Sequence, residues 1–151
     1  MMPANQAMLD LLIAIVAERA KPLASGLAEL LREELVEENG CYFLVSLRAG
    51  ARTASLSSFP DRTGFECFVN HIHIGDFLQV SNVAECLRQA LAWAETLRKK
   101  LERHGKFNII VSCDGTDCSV RFHRVRPGES WLTDDLESYI AESVLVIPVD
   151  K

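Results

Sequence analysis

The chain has 151 residues, of which 48% are hydrophobic and 25% charged, enough to bury a sizeable core without disulfide or metal staples. Its 21 acidic and 16 basic side chains give a formal charge of −5. Nucleic-acid binding draws most of its affinity from Lys and Arg on phosphates, so this balance argues against it and leaves room for a basic protein partner.

The first predicted element is a helix, in which Met8, Leu11, Leu12, Ile15 and Val16 recur at the three-four spacing of one buried face. The apolar run Met8–Ala17 includes Asp10 and is about ten residues long, too short to span a bilayer. It also lacks the preceding Lys or Arg of a secretory signal. A cytoplasmic chain with no membrane contact is expected. Pro22 predicts a break near Lys21–Pro22. A second stripe, Leu23, Leu27, Leu30, Leu31 and Leu35, predicts another helix that stops at Asn39–Gly40, so the N-terminal helical segment is residues 5–39.

Strands and one further helix follow over residues 41–149. Cys41–Leu47 reads as a strand, Arg48–Ala51 as a turn and Arg52–Ser58 as an exposed return strand. Pro60–Gly64 reads as a loop and Phe65–Ile74 as a third strand. A long helix is predicted from about Val83 to Arg103, with Asn82 and Glu85 forming a capping box. Its stripe is Val83, Leu87, Ala90, Leu91, Ala94, Leu97 and Leu101. Arg98, Lys99, Lys100 and Arg103 suit the negative end of its dipole. Strands Lys106–Cys113 and Cys118–Val125 flank Asp114-Gly115-Thr116-Asp117, a hairpin signal. Arg126–Ser130 is a loop, and Asp134 with Glu137 caps a short helix through about Ala141. Val144–Val149 is the last strand, where Pro148 implies an edge or an end.

The fold class expected is α+β in a single domain over residues 1–151. Two main helices pack on one face of a mostly antiparallel sheet of about six strands, because hairpin-length links cannot join parallel neighbours. Leu31, Arg32, Leu35, Val45 and Ser46 recur as Leu97, Arg98, Leu101, Val111 and Ser112 at a constant offset, which a duplicated α-β-β-β unit would explain.

His71 and His73 alternate onto one strand face, as two metal ligands would, while Phe68, Ile72 and Ile74 take the core face. A third ligand would have to come from Cys67 on the same face, from His123, or from a carboxylate elsewhere. The plainer reading is two polar histidines on the less buried face, so no metal or cofactor is assigned. The five cysteines, Cys41, Cys67, Cys86, Cys113 and Cys118, are odd in number and scattered, which predicts reduced thiols. Cys113 and Cys118 flank the hairpin turn and face each other if the register allows. Ser119, Arg121 and His123 share one strand face, and Arg124 and Arg126 extend the positive charge. They form an anion-recognition ridge or, more plainly, a solvated face paired with Asp134, Asp135 or Glu137. No Gly-x-Ser-x-Gly, P-loop or Gly-x-Gly-x-x-Gly is present, so no catalytic residue is assigned.

Trp131, followed by Asp134, Asp135 and Glu137, is the most suggestive local feature. An aromatic anchor ringed by acids suits a basic protein partner, although Trp131 and Leu132 pinning the loop to the core would look the same. The stretch from Val120-Arg121-Phe122-His123-Arg124-Val125-Arg126-Pro127-Gly128-Glu129 to Ser138-Tyr139 resembles the C-terminal part of small bacterial immunity-type proteins. That resemblance covers about the last third of the chain, carries no toxin-binding residue over, and implies neutralisation of a toxin by binding it. The leading expectation is therefore a non-enzymatic binding protein using Trp131, Asp134, Asp135 and Glu137. The alternatives are a metal-binding module or metal-dependent enzyme on His71 and His73, and a homodimeric structural or regulatory subunit that associates through the N-terminal helix.

Overall fold

The structure, a computed structural model, describes residues 2–16, 21–79 and 82–150. Five α-helices and six strands appear there in the order α1 (Gln6–Ile15), α2 (Ser25–Arg32), β1 (Leu35–Glu38), β2 (Cys41–Leu44), α3 (Val45–Gly50), α4 (Arg62–Val69), β3 (His71–His73), α5 (Val83–Leu101), β4 (Phe107–Cys113), β5 (Cys118–Arg124) and β6 (Ser143–Val149). Short 3-10 turns occupy Leu56–Ser58, Ile74–Phe77 and Leu136–Ser138. The α+β class holds, but the strands form two antiparallel sheets. One is the β1-β2 hairpin, and the other has the order β3-β5-β4-β6.

Helix α5 is the axle. Asn82 caps it by accepting from the Glu85 amide at 2.9 Å, and Arg98, Lys99 and Lys100 lie in its last turn. The predicted residues Leu87, Ala90, Ala94, Leu97 and Leu101 are buried. They meet the inner sheet face, where Phe107, Ile109 and Val111 of β4, Val120 and Phe122 of β5, and Leu145 and Ile147 of β6 complete the main core. Trp93 is also fully buried, and its indole N–H donates to the Leu27 carbonyl at 3.0 Å, which ties α2 to α5. A smaller core of Cys41, Phe43, Phe65 and Val69 lies between β2 and α4.

Strand β6 lies at a sheet edge, as Pro148 implied. Pro3–Asn5 cover that edge: the Val146 amide donates to the Pro3 carbonyl at 2.7 Å, and the Asn5 amide donates to Val144 at 3.0 Å. Lys21 and Pro22 are non-helical, between the end of α1 and the start of α2. Residues 17–20, including the Ala17 that ends the apolar run, lie outside the described residues. Among the described residues no helix is long and apolar enough to cross a membrane.

Several expectations are corrected. Asn39–Gly40 is not a helix terminator but a two-residue hairpin turn, with φ values of 53° and 81°, joining the paired residues Glu38 and Cys41. Leu35 therefore belongs to a strand, and the second helix ends at Arg32. The first predicted strand stops at Leu44, where helix α3 begins, and Arg52–Ser58 forms turns and a 3-10 segment instead of a strand. The first half of the predicted strand Phe65–Ile74 is helix α4, which Asp61 caps by accepting from the Gly64 amide at 2.7 Å, and only His71–His73 is a strand. Phe68, assigned to the core, is 55% exposed as a result. The short helix through Ala141 is a 3-10 turn capped by Asp135. The proposed duplication fails with these changes, since Leu35 lies in a strand and Leu101 in a helix, while Val45 and Val111 are reversed.

Candidate functional site

Strand alternation divides β5 in two. Val120 and Phe122 face α5 and the main core, so Ser119, Arg121 and His123 fall on the opposite, outer face. The short strand β3 pairs with β5 so that His71 lies opposite Arg121 and His73 opposite Ser119. On the other side Ser112 of β4 lies opposite Ser119, and their hydroxyls are 2.9 Å apart. The loop over residues 126–142 folds back across this face. Between them lies a cleft of about 400 Å³, lined among others by His71, Ser119, Arg121, Trp131, Tyr139 and Glu142.

The loop is fastened from the N-terminus. Buried Asn5 accepts from the Met8 and Val144 amides at 3.0 and 2.9 Å and donates to the Glu142 carbonyl at 2.8 Å. Glu137 accepts from the Gln6 amide, and the Tyr139 hydroxyl accepts from the Thr133 amide at 3.0 Å. These bonds set the height of the wall that carries Trp131.

Arg121 is the centre of the cleft. Its guanidinium stacks on the Trp131 ring, 4.9 Å from the centroid, and one amino group donates to His71 Nδ1 at 3.4 Å. A guanidinium only donates, so Nδ1 is the acceptor and the proton of the neutral ring resides on Nε2. His71 Nε2 and Arg121 Nε are both buried without a hydrogen-bond partner. Burial is the main cause that lowers the pKa of His71 to about 4, with Arg121 and then His73 adding repulsion. Burial also lowers that of Arg121. His73, whose ring centroid is 4.6 Å from that of His71, faces Asp117 at 3.6 Å.

The structure thus brings His71 and His73 together on one face, as expected, but Cys67 does not join them. It is buried in α4, where desolvation pushes its thiol well above the ordinary range. His123 is buried too, with Nδ1 bonded to the Arg124 carbonyl at 2.8 Å, and lines a second cleft of about 220 Å³ on the other side of Trp131. Among the described residues no group of three His, Cys, Asp or Glu is placed to hold a metal ion. Cys113 and Cys118 are not free thiols. They lie directly opposite in register, with Cα atoms 4.1 Å apart, and form a disulfide.

The predicted loop acids divide by task. Asp135 shapes the 3-10 turn by accepting from the Glu137 amide at 3.1 Å, and Glu137 anchors α1, whereas exposed Asp134 borders the second cleft. None of them pairs with the β5 arginines as expected. Arg126 pairs instead with buried Glu66 at 2.6 Å, and Arg124 lies over the Tyr42 ring. Tyr139 and Glu142 were missed as cleft residues because a loop has no periodicity from which to read a face.

No curated protein and no solved structure matches the chain. A family model matches residues 3–151, nearly the whole length, and the chain belongs to the Uncharacterized protein PM0498 family.

Proposed function

We propose that the chain is a non-enzymatic binding protein that presents the loop over residues 126–142 to a protein partner. One observation carries the reading. Trp131 is 42% exposed yet held in place by its stack on Arg121, at the crest between two clefts. An aromatic anchor fixed before binding loses little conformational entropy on docking. The formal charge of −5 and the exposed Asp134 beside it favour a basic partner. Neutralisation of a toxin, which the resemblance of the C-terminal third implies, is one form this takes.

The test compares the tagged wild-type chain with Trp131→Ala and Asp134→Asn in capture from its own host, with bound proteins quantified by mass spectrometry. One stoichiometric basic partner is expected, weakened at least tenfold by Trp131→Ala, since anchor truncations commonly cost about 2 kcal/mol or more. Asp134→Asn reduces the association rate and flattens its salt dependence. Equal recovery of the same partner by all three forms would exclude the loop as the docking surface.

A second reading, self-association, is favoured by a different observation. Leu9, Ile13 and Val16 form an exposed apolar stripe along α1, with Ile13 74% and Val16 81% exposed.

A further inference from the structure

We propose that the cleft on the outer face of the four-stranded sheet is a binding site for a single carboxylate group, received at the edge of the Arg121 guanidinium beside the His71 ring. The inference shares Trp131 with the docking loop but depends on Arg121, a residue that loop docking uses only as a support.

The first ground is a missing counter-charge. Arg48, Arg88 and Arg126, all largely buried at their side chains, each face a carboxylate, from Glu38, Glu85 and Glu66 at 2.8, 2.9 and 2.6 Å. Among the described residues no carboxylate forms a close ion pair with Arg121, whose pKa burial lowers against the longer-range attraction of Glu142 in the same cleft. A cation taken partly out of water without a partner costs free energy, which an incoming anion recovers.

The second ground is the chemistry of what lies around it. His71 Nε2–H and Arg121 Nε–H are donors without an acceptor, closed to solvent as they stand, so a carboxylate that reaches them first displaces the side chains that cover them. The Trp131 ring centroid lies 4.9 Å from the guanidinium carbon, and the fork of N–H groups that a guanidinium carries matches a planar carboxylate. The site is therefore rich in donors and lacks one planar acceptor.

The third ground selects a monoanion. His71 is neutral well below pH 7, so one formal positive charge stands at the Arg121–His71 pair. Asp114, Asp117 and Glu142 line the same cleft. Any anion meets those acids, and a phosphate dianion meets them with twice the charge of a carboxylate against the one cation, so the monoanion is the form Arg121 holds with less repulsion. A volume of about 400 Å³ admits more than the carboxylate itself, so the group arrives on a small acid or at a peptide C-terminus.

The experiment is an NMR titration of the full chain at fixed ionic strength, read at the Arg121 Nε–H and the Trp131 indole N–H. Trp93, whose indole is bonded in the core, is the internal reference. The probes are acetate, N-acetylglycylglycine, its C-terminal amide, and inorganic phosphate. Saturable shifts at Arg121 and Trp131 are expected with both acids and not with the amide. Arg121→Lys keeps the charge but loses the fork, and should weaken binding on the order of tenfold, the usual value of a charged hydrogen bond. Asp134→Asn should bind the acids as the wild type does, so loss of partner docking and loss of acid binding are read separately. The dipeptide binding at least tenfold more tightly than acetate assigns a peptide C-terminus, and equal affinities assign a small acid. Shifts that stay linear in acid concentration, an amide that binds as well as its acid, phosphate binding more tightly than acetate, or unchanged binding in a folded Arg121→Lys would each overturn the proposal.

Discussion

Glu66 has a side chain with no solvent exposure, and its carboxylate answers three donors at once: the Tyr42 amide at 2.7 Å, the Arg124 amide at 2.9 Å and the Arg126 guanidinium at 2.6 Å. Those donors come from β2, β5 and the start of the 126–142 loop, so one side chain fixes the smaller core to the sheet. Replacing Glu66 by Ala leaves the Arg126 charge buried without its partner and should lower the unfolding free energy by about 3–5 kcal/mol. Chemical denaturation of the purified variant checks this, and a loss below about 1 kcal/mol would show that Arg126 has found another partner. His71 makes a pH-dependent contribution of known sign. Unfolded, it titrates near the ordinary value of 6.5, and in the fold, burial followed by Arg121 and His73 lowers it to about 4. Between those values the unfolded chain takes up a proton that the folded chain refuses, so stability falls as pH drops from about 6.5 to about 4. The denaturation midpoint of the wild type should decline across that window, and that of His71→Gln should decline less. Parallel declines would place the acid sensitivity elsewhere.

Helix α4 is the element on which the arrangement of Glu66 depends, and its first turn is capped twice, by the Asp61 side chain on the Gly64 amide and by the Glu129 carboxylate on the Thr63 amide at 3.0 Å. Asp61→Ala should cost about 1 kcal/mol, in the range of N-cap deletions, and circular dichroism with denaturation would show it. A neutral result would mean that the Glu129 bond to the Thr63 amide and tertiary packing hold the first turn without Asp61. The same element shows where sequence patterning stops being legible. Phe65-Glu66-Cys67-Phe68-Val69 has the aromatic and branched residues of a strand, and short apolar runs fit both periods. What decides for helix is the Asp61 cap, together with Phe65 and Val69 four residues apart facing Cys41 and Phe43 across the smaller core. The second of these signals is tertiary and cannot be read from the chain. Helix α5 and the β4-β5 hairpin were legible because each carries its own period and its own terminal signals, Asn82 in one and Asp114-Gly115 in the other. Asn39-Gly40 was legible in principle, as the tight turn of a hairpin, but the preceding leucine stripe extended a helix across it. Of the candidate site, the shared face of His71 and His73 and that of Ser119 and Arg121 follow from strand alternation. The approach of Trp131 to Arg121 does not, because it depends on a loop fastened by Asn5, about 130 positions away in sequence.

On the scale of the whole molecule, the N-terminal segment has two faces with different duties. Its inner side buries Met8 and Ile15 in the main core, and Asn5 clamps the loop to β6. Its outer side leaves Leu9, Ile13 and Val16 in solvent at four- and three-residue spacing, and the cleft beyond Leu11 and Ala7 leads to Ile140, which is 95% exposed. A surface helix normally presents polar residues on that side, and a contiguous apolar stripe marks a contact with another surface. A two-fold copy of the same helix supplies a matching stripe, because a symmetric interface needs only a self-complementary patch. Deleting the segment before Pro22 would not test this cleanly, since it removes Met8 and the Asn5 clamp together with the stripe. Ile13→Glu changes the outer side alone and places like charges against each other across any such two-fold axis. The wild-type chain should sediment as a dimer whose population rises with concentration, and Ile13→Glu as a monomer with an unchanged circular dichroism spectrum. A wild-type chain that stays monomeric at hundreds of micromolar would reject self-association and leave the stripe to a partner of another kind. If the dimer forms, the Trp131 loops of the two copies are linked to the interface through Asn5 and Glu137 at the base of α1, so partner capture should then be compared between wild type and Ile13→Glu. Weaker capture by the monomer would mean that two loops engage the partner together, whereas equal capture would mean that each loop acts alone.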